Sequence, residues 1–450
     1  MSAPMSARVS ALRLFLFALV LALAPLWSGP ARAVEIQEVV SPSGIRAWLI
    51  QDQTAPVISL SFAFNGGGAL DAKGKDGASR MMAALLDEGA GPYDSTAFHA
   101  EVEAIAARLS FSADADYISG SLRTLADKRE RAFELLRLAL GEPRFASPDI
   151  ERIRGQMLAN LRSSATSPHW IAGRALAQAV FGQHPYARPT DGSLDTVPNL
   201  TAEDLRAVHQ RSLVRGGLTV AVVGDVTPAE LARLLDIGFG AVPAGASAPE
   251  VAEWTAAPAG RTIVLERDFP QSVVLLARQG LKRSDPDWFP AYVMNYILGG
   301  GGFNSRLTEE IREKRGLAYG VSTGLQPYAA GGLYTGSVAT ANERVGQSID
   351  LMKQEMRRLA QSGVTAEELA DAKTHITGSF ALNFSSGGAI ASLLLSVQLE
   401  NLGRDYFDRR NALIEKVTAE DVQRLARRLL APEDYVVVVV GKPQGVKASE

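Results

Sequence analysis

Two stretches of this chain match each other at a fixed separation. Thr201-Ala-Glu-Asp-Leu205 pairs with Thr418-Ala-Glu-Asp-Val422, and Val223-Gly224 with Val440-Gly441. Both matches fall 217 positions apart, 201 to 418 and 224 to 441. Helix starts in 146–161 and 363–378, and strands in 56–64 and 273–281, share that offset. A common offset across several regions, in the same element order, implies two copies of one domain of roughly 200 residues. Strands and helices mix without strict βα alternation. That favours two-layer α+β domains over a doubly wound sheet.

The ends and the middle divide the chain further. Met1–Arg13 carries Arg8 and Arg13 and no acid, and Leu14–Leu26 is almost unbroken apolar. Ala31-Arg32-Ala33 supplies a small-x-small cleavage pattern. These features predict a secretory signal peptide over 1–33, cut after Ala33, and hence a periplasmic protein. Pro243–Gly260 is rich in Ala, Pro and Gly and marks a linker over 244–260, between domains at 34–243 and 261–445. The chain has no cysteine, so neither a disulfide nor a thiolate nucleophile is available. A formal charge of −3 gives no reason to expect nucleic acid as a partner. After the leader no apolar run approaches about 20 residues, so stable membrane insertion is not expected.

In the first half, strands are expected at Ile45–Ile50 and Pro56–Phe64, with Leu109–Ala113 and Tyr117–Thr124 as a pair and Leu218–Val223 as a buried strand. Helices are expected at Gly77–Glu88, Ser95–Leu109, Asp127–Leu140, Trp170–Val180 and Thr201–Arg211. A further helix, Ser147–Arg162, has Ser147 placed as its cap and Pro148 at its first position. In the second half, strands are expected at Arg261–Glu266, Gln271–Arg278 and Tyr435–Val440. Helices there are Trp288–Leu298, Arg344–Gln361, Thr365–Phe380, Gly388–Leu402 and Thr418–Leu429.

The most distinctive stretch is Gly299–Ser322, GGGGFNSRLTEEIREKRGLAYGVS. A short helix, Ser305–Lys314, is expected to lead through Gly316 into a strand. If the turn folds them together, Arg312 and Tyr319 face one pocket. On spacing alone, the same charges also read as a solvated helix face with local ion pairs. The four glycines admit two readings: close backbone approach to a partner or peptide, or a flexible helix terminus. The histidines His99, His169, His184, His209 and His375 are scattered and read as structural or surface residues.

Three segments together carry a family resemblance. They are Leu298–Leu307 with Ile311–Tyr319, the helix at Gly77–Gly89, and His184-Pro185-Tyr186. The sequence resembles the pitrilysin/insulinase (M16) zinc peptidases, in the two-domain form of the processing peptidases, over essentially all of the mature chain. The resemblance implies two homologous two-layer α/β domains of the processing-peptidase metallohydrolase fold, forming half of a clamshell. It also implies a zinc motif H-x-x-E-H on the first-domain helix. Laid on Gly77–Gly89, its places fall on Arg80, Ala83 and Ala84, and the third-ligand neighbourhood on Ala159 and Asn160. None of these side chains suits zinc, so no cofactor is expected on this chain.

By the same resemblance, Arg312 and Tyr319 are the catalytic and substrate-binding residues, with Gly300 and Gly301 beside them on the peptide. The arginine would hold a substrate carbonyl, and the phenol would donate to the developing oxyanion. The chain then reads as the non-zinc subunit of a periplasmic heterodimeric metallopeptidase, inactive alone, whose partner carries H-x-x-E-H and zinc. Unfolded peptides would be its substrates, held by addition to an exposed strand edge. The alternative is a catalytically silent pseudo-peptidase serving as a structural or peptide-binding subunit. A pure scaffold has no need of Arg312 and Tyr319, and that separates the two.

Overall fold

The computed structural model describes residues 35–256 and 260–449. The expected leader lies outside the described residues, as do positions 257–259 of the expected linker.

The first half builds a six-stranded sheet in the order β1-β2-β6-β3-β5-β4. Its strands are β1 (Gln37–Val40), β2 (Arg46–Gln51), β3 (Val57–Asn65), β4 (Arg108–Ala113), β5 (Tyr117–Leu125) and β6 (Leu218–Gly224). The second half builds a five-stranded sheet from β7 (Arg261–Glu266), β8 (Gln271–Gln279), β9 (Ala318–Tyr328), β10 (Gly331–Ala341) and β11 (Val436–Gly441). Its order is β7-β11-β8-β10-β9, the order of the first sheet without β1. In each sheet one pair is parallel, β2 with β6 and β7 with β11, and the other neighbours run antiparallel.

Each sheet packs its own helices on one face. In the first half, Phe62 and Leu60 of β3 meet Phe133 and Leu136 of the helix Arg129–Gly141 and Leu234 of Pro228–Phe239. In the second, Val437 and Val439 of β11 share a core with Met352 of Val345–Ser362 and Leu425 of Ala419–Leu429. Thr201 and Thr418 cap their helices by reciprocal bonds with Asp204 and Asp421, which satisfies helix-end amides that would otherwise lack partners.

The opposite face of each sheet is covered from the other half. The helix Pro168–Phe181 leaves the first half and lies on β8 and β11 of the second. There Ala172 and Leu176 join Val436, Val438 and Val440. In return Gly387–Leu399 crosses to β3 and β6, where Ala391, Leu394 and Leu395 join Ala63, Ala221 and Val223. This exchange explains the unbroken Val436–Val440 run. Odd-numbered valines enter the sheet's own core and even-numbered ones meet the visiting helix, so both faces are buried.

Several expectations need correction. Residues 35–65 form three strands rather than the two expected, because the short β1 adds to the edge of β2. Of its four residues only Val39 is buried, too little alternation to register as a pattern. Ser147 is not a cap: the cap position is Ala146, which has no side-chain acceptor, and Ser147 sits inside the first turn. The helix expected over Gly77–Glu88 spans only Ala78–Ala84. The strand β10 and the helices Pro228–Phe239 and Tyr406–Glu415 were not anticipated. Glycines at 331, 332 and 336 blur the two-residue period of β10. Within the expected linker, Trp254 is buried and its amide donates to Ala330 O at 2.8 Å.

Candidate functional site

The glycine run does not form a loop. The helix Trp288–Asn295 continues through Tyr296–Gly300 as a wider, π-helical turn. Gly299 is pressed on β9, where a Cβ would stand 2.6 Å from Thr323 Oγ1 and 2.8 Å from the Thr323 amide nitrogen. Only glycine fits that approach. Gly300 and Gly301 pack in the same way on Asn295 and Tyr296 of the preceding turn. Their close contacts are thus within the chain. Gly302, at φ 60° with open space around it, turns the backbone out into the exposed Phe303.

A second π-helical turn, Thr308–Glu313, carries Arg312. Such turns recur at functional sites. Fully buried Leu307 and Ile311 anchor it to the core, and Gly316, at φ 58°, reverses the chain into β9. Glu310 ties the turn together. It accepts from Lys314 Nζ at 2.6 Å, and Arg315 Nη1 bonds its Oε2 at 2.6 Å and its carbonyl at 2.7 Å. The hydrogen bonds from Lys314, then Arg315, hold the Glu310 carboxyl below its ordinary 4.5. A lowered carboxylate stabilises the fold above the ordinary value and loses that contribution as pH falls through the lower one. Amides of Lys314 and Gly316, bonded to Glu309 O and Arg312 O, are therefore expected to exchange faster at about pH 3 than at about pH 6, after correction for intrinsic rates. Glu310→Gln should remove most of that difference; an unchanged difference would show that another group governs the turn.

Tyr319 occupies a β-bulge. Ala318 pairs with Thr340 and Gly320 with Ala339, which leaves Tyr319 without a partner. A bulge re-aims the extra side chain, and Tyr319 is 85% exposed. Phe303 is 69% exposed. The Arg312 guanidinium lies between these rings, its Cζ 4.6 Å from each centroid. Arg312 Nη1 also donates to Tyr319 O at 3.1 Å, and Nε lies 3.3 Å from Glu313 Oε1. The structure thus brings Arg312 and Tyr319 together, seven residues apart, and adds Phe303, which sequence reasoning passed over. A phenylalanine directly after four glycines was the available signal. Held against both rings, the arginine is pre-ordered, with 28% of its side chain still accessible. The stack stands at the head of β9, the edge strand of its sheet.

The first-half helix is empty of metal chemistry. Arg80 Nε lies 3.7 Å from Asp191 Oδ1, Ala83 is fully buried, and Ala84 packs against the core. Ala159 and Asn160 are exposed on the helix Ser147–Ser164. Among the described residues, no group of three His, Cys, Asp or Glu could hold a metal ion. The residues in the zinc places therefore do not fit zinc. Of the histidines, His184 and His209 bond the carbonyls of Ala252 and Leu140, and burial keeps the His209 pKa below the usual histidine value.

Comparison with known proteins agrees with this picture. Residues 46–193 match the family model described as insulinase (peptidase family M16), and residues 199–376 match the one described as peptidase M16 inactive domain. A crystal structure of a peptidase M16 inactive domain from Pseudomonas fluorescens superposes with a TM-score of 0.86 at 29% identity, covering 92% of this chain and 99% of that one. A non-peptidase homolog of Helicobacter pylori is 27% identical over 73% of this chain and 76% of its own length. An uncharacterised zinc protease of Streptomyces coelicolor is 26% identical over 90% of this chain and 89% of its own. With both halves matched by models of one family, the chain belongs to the M16 peptidase family, and none of the residues in the metal places of its first half suits zinc.

Proposed function

We propose that this chain is the non-zinc subunit of a heterodimeric M16 metallopeptidase of the periplasm. A second chain would carry H-x-x-E-H and the zinc. The observation that carries the reading is the Phe303–Arg312–Tyr319 stack, with both rings exposed, beside two π-helical turns. A scaffold gains only about 0.5–1 kcal/mol from each such contact of an arginine with an exposed ring, little reason on its own to display two large aromatic side chains to solvent. Facing a partner's active site, Arg312 would donate to a substrate carbonyl and Tyr319 Oη to the oxyanion that forms during peptide hydrolysis. The free edge of β9 would pair with the extended peptide.

The test is reconstitution. The mature chain is co-expressed with a chain bearing H-x-x-E-H from a neighbouring reading frame, and cleavage of labelled unfolded peptides is followed. Neither chain alone should cleave, the pair should, and a chelator should stop the pair. Cleavage by this chain alone, or a pair no faster than the zinc-bearing chain by itself, would refute the proposal.

A further inference from the structure

The visiting helix Pro168–Phe181 covers β8 and β11 and, through Phe181, meets Tyr328 and Leu333 at one end of β9 and β10, but leaves the outer face of these two strands open around Ser322, Gly324, Thr335 and Ser337. Between helix and strands runs a groove of about 400 Å3. Its floor is made of small residues, Ser322 opposite Ser337 and Gly324 opposite Thr335. Its wall is apolar, with Leu176, Ala177, Phe181, Leu275 and Leu333, and its far end adds Gln326 and Tyr328, which bond each other. No charged side chain lines it, although 21% of the chain is charged.

The outer rim of the groove is β9 itself. Beyond that rim, no described strand pairs with β9, so its outward N–H and C=O groups form a template for one more strand. In a strand added there, every second side chain stands on the face that carries Ser322 and Gly324. At Gly324 nothing rises between that added strand and the groove. A Cβ at this position would meet only Thr335 Oγ1, at 3.4 Å. The position lies about 16 Å along β9 from Tyr319, at roughly 3.3 Å per residue.

We propose that this groove is a side-chain pocket for an extended peptide paired with β9, and that it accepts an uncharged aliphatic or aromatic residue. The choice of a peptide as occupant rests on the function proposed above. The preference for apolar over charged side chains rests on the groove's lining alone. A peptide bearing Asp or Lys at that place would bring a charge against apolar walls with no counter-charge to receive it.

The probe is a fluorescein-labelled Ser/Thr peptide as long as β9 with a single central Phe, compared with versions bearing Asp or Lys there. Binding to the full mature chain, without any partner, is read by anisotropy up to millimolar protein. The Phe peptide should bind at least about tenfold tighter than either charged one, the scale expected for burying an aromatic side chain. Gly324→Leu fills the rim where a new side chain has room, and should bring the Phe peptide down to the level of the others. Ala177→Phe fills the groove from the helix side and should do the same, which guards against an effect peculiar to β9. Equal binding of the three peptides, no binding of any, or a preference that survives both substitutions would overturn the proposal. Because no partner is present, this outcome is independent of reconstituted cleavage: either result can fail while the other stands.

Discussion

Arg312→Ala is expected to slow peptide cleavage by the reconstituted pair by about 10²–10³-fold, the usual loss when one pre-ordered donor to a transition state is removed. The size follows from how the arginine is held. Free in water, a guanidinium must be ordered at the moment of reaction; here the rings of Phe303 and Tyr319 and the carbonyl of Tyr319 have already ordered it. Arg312→Lys should recover little, since an ammonium lacks both the planar fork and the stacking surface. Tyr319→Phe keeps the ring against Arg312 and removes only the hydroxyl, so its loss isolates the phenol's contribution to kcat. Phe303→Ala removes one side of the clamp and should cost less than Arg312→Ala. Phe303 and Tyr319 are exposed, so thermal unfolding temperatures of these variants should stay close to the parent's. A cleavage rate indifferent to Arg312→Ala and Tyr319→Phe removes both residues from the chemistry and leaves the chain as a scaffold.

Leu394→Ala should destabilise the protein by about 2–5 kcal/mol, the range for truncating a buried leucine. Leu394 belongs to the second half by sequence but is fully buried on the first sheet, against Ala63, Ala221 and Val223. Gln398, one turn on, donates to Val220 O at 3.0 Å and fixes the helix to the same strand. Truncation therefore leaves a void under a helix whose own half lies elsewhere. Urea unfolding should remain a single transition with a lower midpoint, because neither sheet is fully covered without the other half. Two separated transitions, with only the later half shifted, would show that the halves are energetically independent.

The sequence disclosed local chemistry well and long-range partnership poorly. Thr201 with Asp204 and Thr418 with Asp421 are capping boxes, and both form, because a cap depends on residues three apart. Arg312 and Tyr319 are joined by one tight turn, so their meeting was legible from Gly316. Ser147 failed as a cap because the boundary moved by one residue, a shift that propensity does not resolve. The π-helical turns were invisible, since the signal for Gly299 lies in Thr323, on a strand more than twenty residues later. The crossing of Pro168–Phe181 and Gly387–Leu399 was equally hidden. Its trace was present in Val436–Val440, whose unbroken valines signal burial on both faces without naming what covers the second one.

That crossing also sets a timetable. A chain emerging from its amino end completes every strand of the first sheet by Gly224, yet the cover for one face of that sheet is not made until Leu399. Until then Ala63, Ala221 and Val223 lack the helix that buries them, and the first half is expected to stay incomplete. A fragment ending at residue 243 would keep that open face permanently and should aggregate. Supplied together in trans, the two fragments could close only by trading helices, so their refolding would depend on concentration.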